Sequence, residues 1–265
     1  MSTSEPSDQI PPTASPAGEA PTLPLRPPEI APGRCLHWLR AGWQDLRGAT
    51  GPALRYGIGF VALSWTLVLL LFLSGLEWML LPALAGAMLM GPLVATGLYQ
   101  ISRAQNGVDE ALPAAPDQIG LLGAILLVLL LAWIRAATLI YALFFGLTPF
   151  PGFLDKMLLI FATPDGLAML AIGTAVGGLF AALTFALTAF SIPMLVSRDI
   201  DAFTAMGRSF SAVTHNLRPA IEWAAAILVL SVIGFATGLL GMIVVFPWLG
   251  FATWHAYSDV FGDRD

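Results

Sequence analysis

The chain has 265 residues, 57% of them hydrophobic and 11% charged, with a mean hydropathy of +0.79. A soluble domain is about one quarter charged, so these values exclude an ordinary water-soluble globule, and the long charge-free runs are those of a chain that crosses a bilayer several times. The net charge of −5 without a basic stripe speaks against nucleic-acid binding, and the single Cys35 rules out an intramolecular disulfide or a paired-cysteine metal or redox motif.

In chain order, residues 1–34 hold nine prolines with Ser, Thr and charges of both signs. They are predicted to be a disordered tail, because so little apolar surface cannot offset chain entropy. The tail has no apolar core of a signal peptide, so insertion is expected to depend on the first span. An amphipathic helix is predicted next, over 35–48, with Leu36, Leu39, Trp43 and Leu46 on one face and Arg40 and Arg47 elsewhere. Runs 56–76 and 78–102, parted only by Glu77, predict two helices joined by a tight turn, with spans near 54–75 and 78–100. A third span, 119–147, contains one charge, Arg135.

The fourth span, 167–196, carries Gly173, Gly177 and Ala181 at four-residue spacing, with Gly178 and Ala182 beside them; such a stripe predicts close helix packing. A second interfacial helix is predicted from Ile200, Phe203, Met206, Phe210 and Val213, with Arg208 opposite. The last charge-free run, 223–258, would make a helix of about 54 Å, too long for one span even when tilted. The GLLG sequence at 238–241 is the expected turn, giving spans 220–238 and 241–258 and a short tail, 261–265. The predicted fold class is all-α: a polytopic membrane protein with a membrane domain at 35–260, six transmembrane helices in three hairpins, and interfacial amphipathic helices.

Charge asymmetry supports six spans. With both termini cytoplasmic, Arg26, Arg34, Arg40, Arg47, Arg55, Arg103, Arg198, Arg208, Arg218 and Arg264 lie inside and only Lys156 outside. Each even span also holds a proline, Pro92, Pro193 or Pro247, followed by a polar cytoplasmic end. Two readings of these prolines stay open, an ordinary membrane-helix proline and a shared functional kink.

GW (42–43), GPLVATGLYQISR (91–103), WIRAATLIYALFF (133–145), SIPMLVSRDID (191–201) and PWLGFATWHAYSDV (247–260) occur in that order. Together they resemble an uncharacterised bacterial integral-membrane family, domain of unknown function twenty-one eighty-nine, over about residues 35–260. The resemblance implies a bacterial inner-membrane protein and no particular activity, since the family supplies no catalytic or binding residues.

The chemistry-bearing groups are sparse. His37 and His215 fall on the interfacial helices and His255 near the end of the sixth span, which gives no pair at bundle depth to clamp haem or copper. No nucleophile elbow, zinc-protease motif or phosphate-binding loop occurs. No metal, cofactor or catalytic residue is therefore expected. Asp199 and Asp201 point apart on a helix, and one of them capping a helix is favoured over paired-acid catalysis.

The candidate binding residues are the polar ends of the even spans, Tyr99, Arg103, Arg198, His255, Tyr257 and Asp259, with His255 and Asp259 spaced to pair. They make either a cytoplasm-facing pocket or an interface belt. Arg135 is expected to face the bundle, either contacting Glu77 or snorkelling outward. The leading function is a non-enzymatic accessory or scaffold protein. The alternative is a transporter or lipid- or small-molecule-handling protein. Expected partners are membrane lipids, and a membrane-protein partner or a second copy.

Overall fold

In a bilayer core each backbone N–H and C=O needs a partner within its own segment, so charge-free runs fold as helices. The computed structural model describes residues 29–76, 79–105, 107, 112–146 and 153–262, and among them there are eleven helices and no strand. They are α1 (Arg34–Gly48), α2 (Thr50–Leu73), α3 (Leu80–Val94), α4 (Thr96–Gln105), α5 (Pro116–Phe145), α6 (Phe153–Ala162), α7 (Pro164–Thr188), α8 (Ser191–Ser197), α9 (Ala202–His215), α10 (Leu217–Ala236) and α11 (Met242–Phe261). Residues 1–28 of the predicted tail, Glu77, and Arg264 lie outside the described residues. Positions 29–33 are tied down: the Ile30 N–H donates to Asn216 and the Gly33 N–H to Glu222, both at 2.8 Å.

Among the described residues, four stretches are long and apolar enough to cross a membrane: α2, α5, α7 continued through α8, and α10. The predicted second span is divided into α3, only 15 residues long, and α4, with Ala95 between them three residues after Pro92. The predicted sixth span, α11, is long enough at 20 residues, but its last turns carry His255, Tyr257, Ser258 and Asp259. The chain turns from α10 to α11 at 237–241, as the GLLG sequence predicts. Gly238 and Leu239 both adopt positive φ there, and the Trp65 indole N–H donates to the Gly238 carbonyl at 3.2 Å.

Helix α11 has the longest set of buried residues and packs against α1, α2, α4, α8 and α10. Its neighbours approach closely at glycine. A Cβ on Gly42 of α1 would meet the Ala252 backbone, and one on Gly57 of α2 would strike the Ile243 carbonyl. Pro247 lies four residues after Ile243 and has no N–H to offer that carbonyl, so Gly57 sits where the helix has lost an internal bond. The chief neighbours of α2 and α3 are α11 and α5 respectively, whereas α5 pairs with α7 and α10 with α11.

The predicted interfacial stripes are divided between the protein interior and the outer surface. On α1 the buried set is Trp38, Gly42 and Leu46, with Leu36 exposed. On α9 the small residues Ala202, Ala205, Ser209 and Ala212 join Met206 and Val213 inside, while Phe203 and Phe210 stay exposed. Ser209 explains why a small face is needed: its hydroxyl donates to the Ala186 carbonyl (2.8 Å) and accepts from the Phe190 N–H (3.2 Å), satisfying the break between α7 and α8. Helix α9 starts at Asp201, whose side chain accepts from the Thr204 N–H at 2.8 Å, the expected cap.

Candidate functional site

The polar residues singled out by sequence meet at one end of the bundle, the end rich in arginine, but they bond one another and the backbone. Arg103 is buried and donates to the Val196 carbonyl at 3.1 Å. The Ala114 and Ala115 N–H groups donate to Val196 and Leu195, also at 3.1 Å, so the last carbonyls of α8 are occupied. Arg198 donates to the Phe261 carbonyl (2.7 Å) and the Tyr257 hydroxyl (3.3 Å), and that hydroxyl lies 2.6 Å from Ser197 Oγ.

His255 and Asp259 do not pair, because α1 packs across α11 and supplies a nearer partner for each. His255 Nε2 lies 2.9 Å from an Asp45 carboxylate oxygen that also accepts from Ser102. Asp259 accepts from Arg34 Nε and Nη2 and from the Trp38 indole N–H at 3.0 Å. Burial works to raise the Asp259 pKa, but the bonds from Arg34 and Trp38 and the guanidinium charge outweigh it, leaving the group below its usual range. Asp45, Arg34 and Trp38 carry no local signal of this role, since they are some two hundred residues away in sequence from the helix they serve.

Of the six candidates, only Tyr99 reaches the main opening in the structure. This is a cavity of about 970 Å³ that separates α7 from α10, with α3, α5 and α11 contributing to its wall. Its lining residues Leu170, Ile221 and Leu228 are exposed on the outer surface, so it opens sideways between two membrane-spanning helices. The small-residue stripe of α7 lines it: Gly173, Gly177, Gly178, Ala181 and Ala182. A Cβ on Gly173 or Gly178 would meet open space, and only Gly177 lies against a side chain, Trp133. The stripe therefore admits α5 at Gly177 and widens the cavity at Gly173 and Gly178.

Among the described residues, no Asp, Glu, Lys, Arg or His lines the cavity. Its buried polar members are Tyr99, Thr184, Thr188, Trp223 and Ser231. The Thr188 hydroxyl donates to the Thr184 carbonyl at 2.7 Å, whereas Thr184 Oγ1 and Trp223 Nε1 are buried without a hydrogen-bond partner.

Arg135 is exposed, together with Ala124, Val128 and Ala132, which reverses the expected face of α5. The packed side carries the large residues, because the small receiving surfaces lie on the neighbours: Leu130 covers Gly86 of α3 and Trp133 covers Gly177 of α7. The proposed partner of Arg135, Glu77, is outside the described residues.

Residues 80–197 match the family model "Predicted integral membrane protein (DUF2189)". The chain is thus an integral membrane protein with several apolar helices, and the DUF2189 segment runs from the first residue of α3 to the last of α8. It includes the α5 and α7 walls of the cavity and excludes α10 and α11. The GW and PWLGFATWHAYSDV blocks lie beyond the matched segment. No curated protein and no solved structure matches the chain.

Proposed function

We propose that this is a non-enzymatic membrane protein that holds an apolar small molecule or lipid in the cavity between α7 and α10. The observation that carries the reading is that cavity, about 970 Å³ of uncharged, largely apolar space opening at membrane depth. Its size falls at the upper end of the range usual for small-molecule sites. This favours the lipid- or small-molecule-handling alternative over a scaffold. The occupied volume is the intramembrane cavity and not a polar pocket at the arginine-rich end, where the polar groups are already bonded to one another. In the bacterial inner membrane, six spans with the arginine-rich end cytoplasmic place the opening in the leaflet region and both termini inside.

The test is extraction of the full chain purified in mild detergent, analysed by native and lipid mass spectrometry. One apolar species at roughly equimolar amount is expected, and it should be lost from the doubly filled variant Gly173→Phe, Ala224→Phe, which projects rings from opposing walls into open space. Identical lipid content in wild type and variant would sink the reading. A stoichiometric protein partner with no retained small molecule would restore the scaffold.

A further inference from the structure

We propose that the cavity selects an uncharged lipid whose head is a hydrogen-bond acceptor of the carbonyl type, held by Trp223 and Thr184; this rests on the ligand-holding reading above. The polar lining is uneven along the membrane normal. Tyr99 lies six residues before the end of α4, Thr184 four before the end of α7, Trp223 six after the start of α10 and Thr253 eight before the end of α11. At 1.5 Å per residue these are all within about 12 Å of the arginine-rich ends of their helices. Beyond them the wall is mostly apolar, with Met169, Leu170, Ile140, Leu228 and Phe235, and carries Thr138, Tyr141, Thr174 and Ser231 as its further polar members. A molecule filling this space meets a few hydrogen-bonding groups in a largely hydrocarbon wall, and the two buried without a partner, Trp223 and Thr184, mark where a polar head is satisfied.

The chemistry of the inner end defines the head. An indole N–H is a donor only, and a threonine hydroxyl donates once. Trp223 is 1% exposed and Thr184 4% exposed, and neither Nε1 nor Oγ1 has a partner. Thr188 and Thr253 have already given their protons to the Thr184 and Leu249 carbonyls. Trp223 can only donate and Thr184 can donate or accept, so an acceptor is the one group that satisfies both. With no cation among the described lining residues, an anionic head would be buried without a counter-charge, and with no carboxylate among them a cationic head fares no better. A neutral carbonyl meets every condition.

The experiment is scintillation proximity binding of tritiated methyl oleate to the detergent-purified full chain, with octadecane and oleate as competitors. Methyl oleate should bind, and octadecane should compete about tenfold more weakly, the factor expected for a hydrogen-bonded head. Oleate should compete more weakly still at pH 8. Thr184→Val keeps shape while deleting the hydroxyl, and Trp223→Phe deletes the indole donor. Each should shrink the ester-over-hydrocarbon preference without abolishing octadecane binding, which reports an intact cavity. Equal binding of ester and hydrocarbon to the wild type would overturn the head assignment and leave the cavity reading standing. Preference for oleate would overturn the neutral class, and unchanged preference in both variants would remove Trp223 and Thr184 from the site. Failure of all three molecules to bind would overturn the cavity reading itself.

Discussion

Ser209 shows how much one hydroxyl carries at a helix break. It serves the Ala186 carbonyl and the Phe190 N–H at once, fully buried. Ser209→Ala leaves both backbone groups unpaired in a dry environment. It should destabilise the folded protein by about 1–3 kcal/mol, read as a lowered detergent melting temperature, whereas Ser211→Ala on the exposed side should not. Asp259 gives a pH dependence. Its pKa is lowered from the usual 3.8 by Arg34 and Trp38 against the opposing effect of burial. A carboxylate with a depressed folded-state pKa contributes stability above its unfolded value, and loses it as pH falls through the folded one. Melting temperatures followed from pH 7 down through the carboxylate range should drop, and Asp259→Asn should start lower and show less of that drop. Arg135, exposed on α5, is not part of the packed surface. Arg135→Leu is expected to leave stability within about 0.5 kcal/mol.

At the scale of elements, α11 organises the bundle, and glycine decides how near its neighbours come. Gly57 has no room for a side chain beside the Ile243 carbonyl, while Gly59, one turn face away on the same helix, faces open space. Gly57→Leu should therefore cost about 1–3 kcal/mol through overpacking, or prevent assembly. Gly59→Leu adds apolar surface where lipid lies and should be tolerated. The comparison of membrane yield and melting temperature for the two variants separates a packing requirement from a helix-propensity effect, because both replace glycine by the same residue. Neutral behaviour of Gly57→Leu would mean that α2 does not hold this register against α11.

For the whole molecule, the asymmetry of arginine is a statement about sidedness. With the arginine-rich end inside, single cysteines at 77 and 156 in a Cys35-free background should react with an impermeant maleimide from outside, and one at 264 should not. The opposite labelling pattern would invert the topology and with it the leaflet in which the cavity's polar end lies. A molecule that binds the folded chain alone also raises its apparent stability by mass action. Methyl oleate is accordingly expected to raise the melting temperature of the wild type and not that of the Gly173→Phe, Ala224→Phe variant.

The membrane character, the turn at 238–241 and a cap at Asp199 or Asp201 were readable from sequence, because each depends on residues within one or two turns of one another; the breaks at Ala95 and between α7 and α8, and the short α6, were not. Nor were the packed faces. In lipid both sides of a helix are apolar, so the periodicity that marks the core of a soluble protein loses its contrast. Leu130 and Trp133 of α5 turned inward because glycines on α3 and α7 receive them, a fact held in other segments. The same applies to His255 and Asp259, whose partners Asp45 and Arg34 arrive only when α1 crosses α11. The cavity is the extreme case. It is a space, set by how far apart α7 and α10 are held: Gly177 of the α7 stripe receives Trp133, whereas Gly173 and Gly178 line the cavity because no helix comes to fill them.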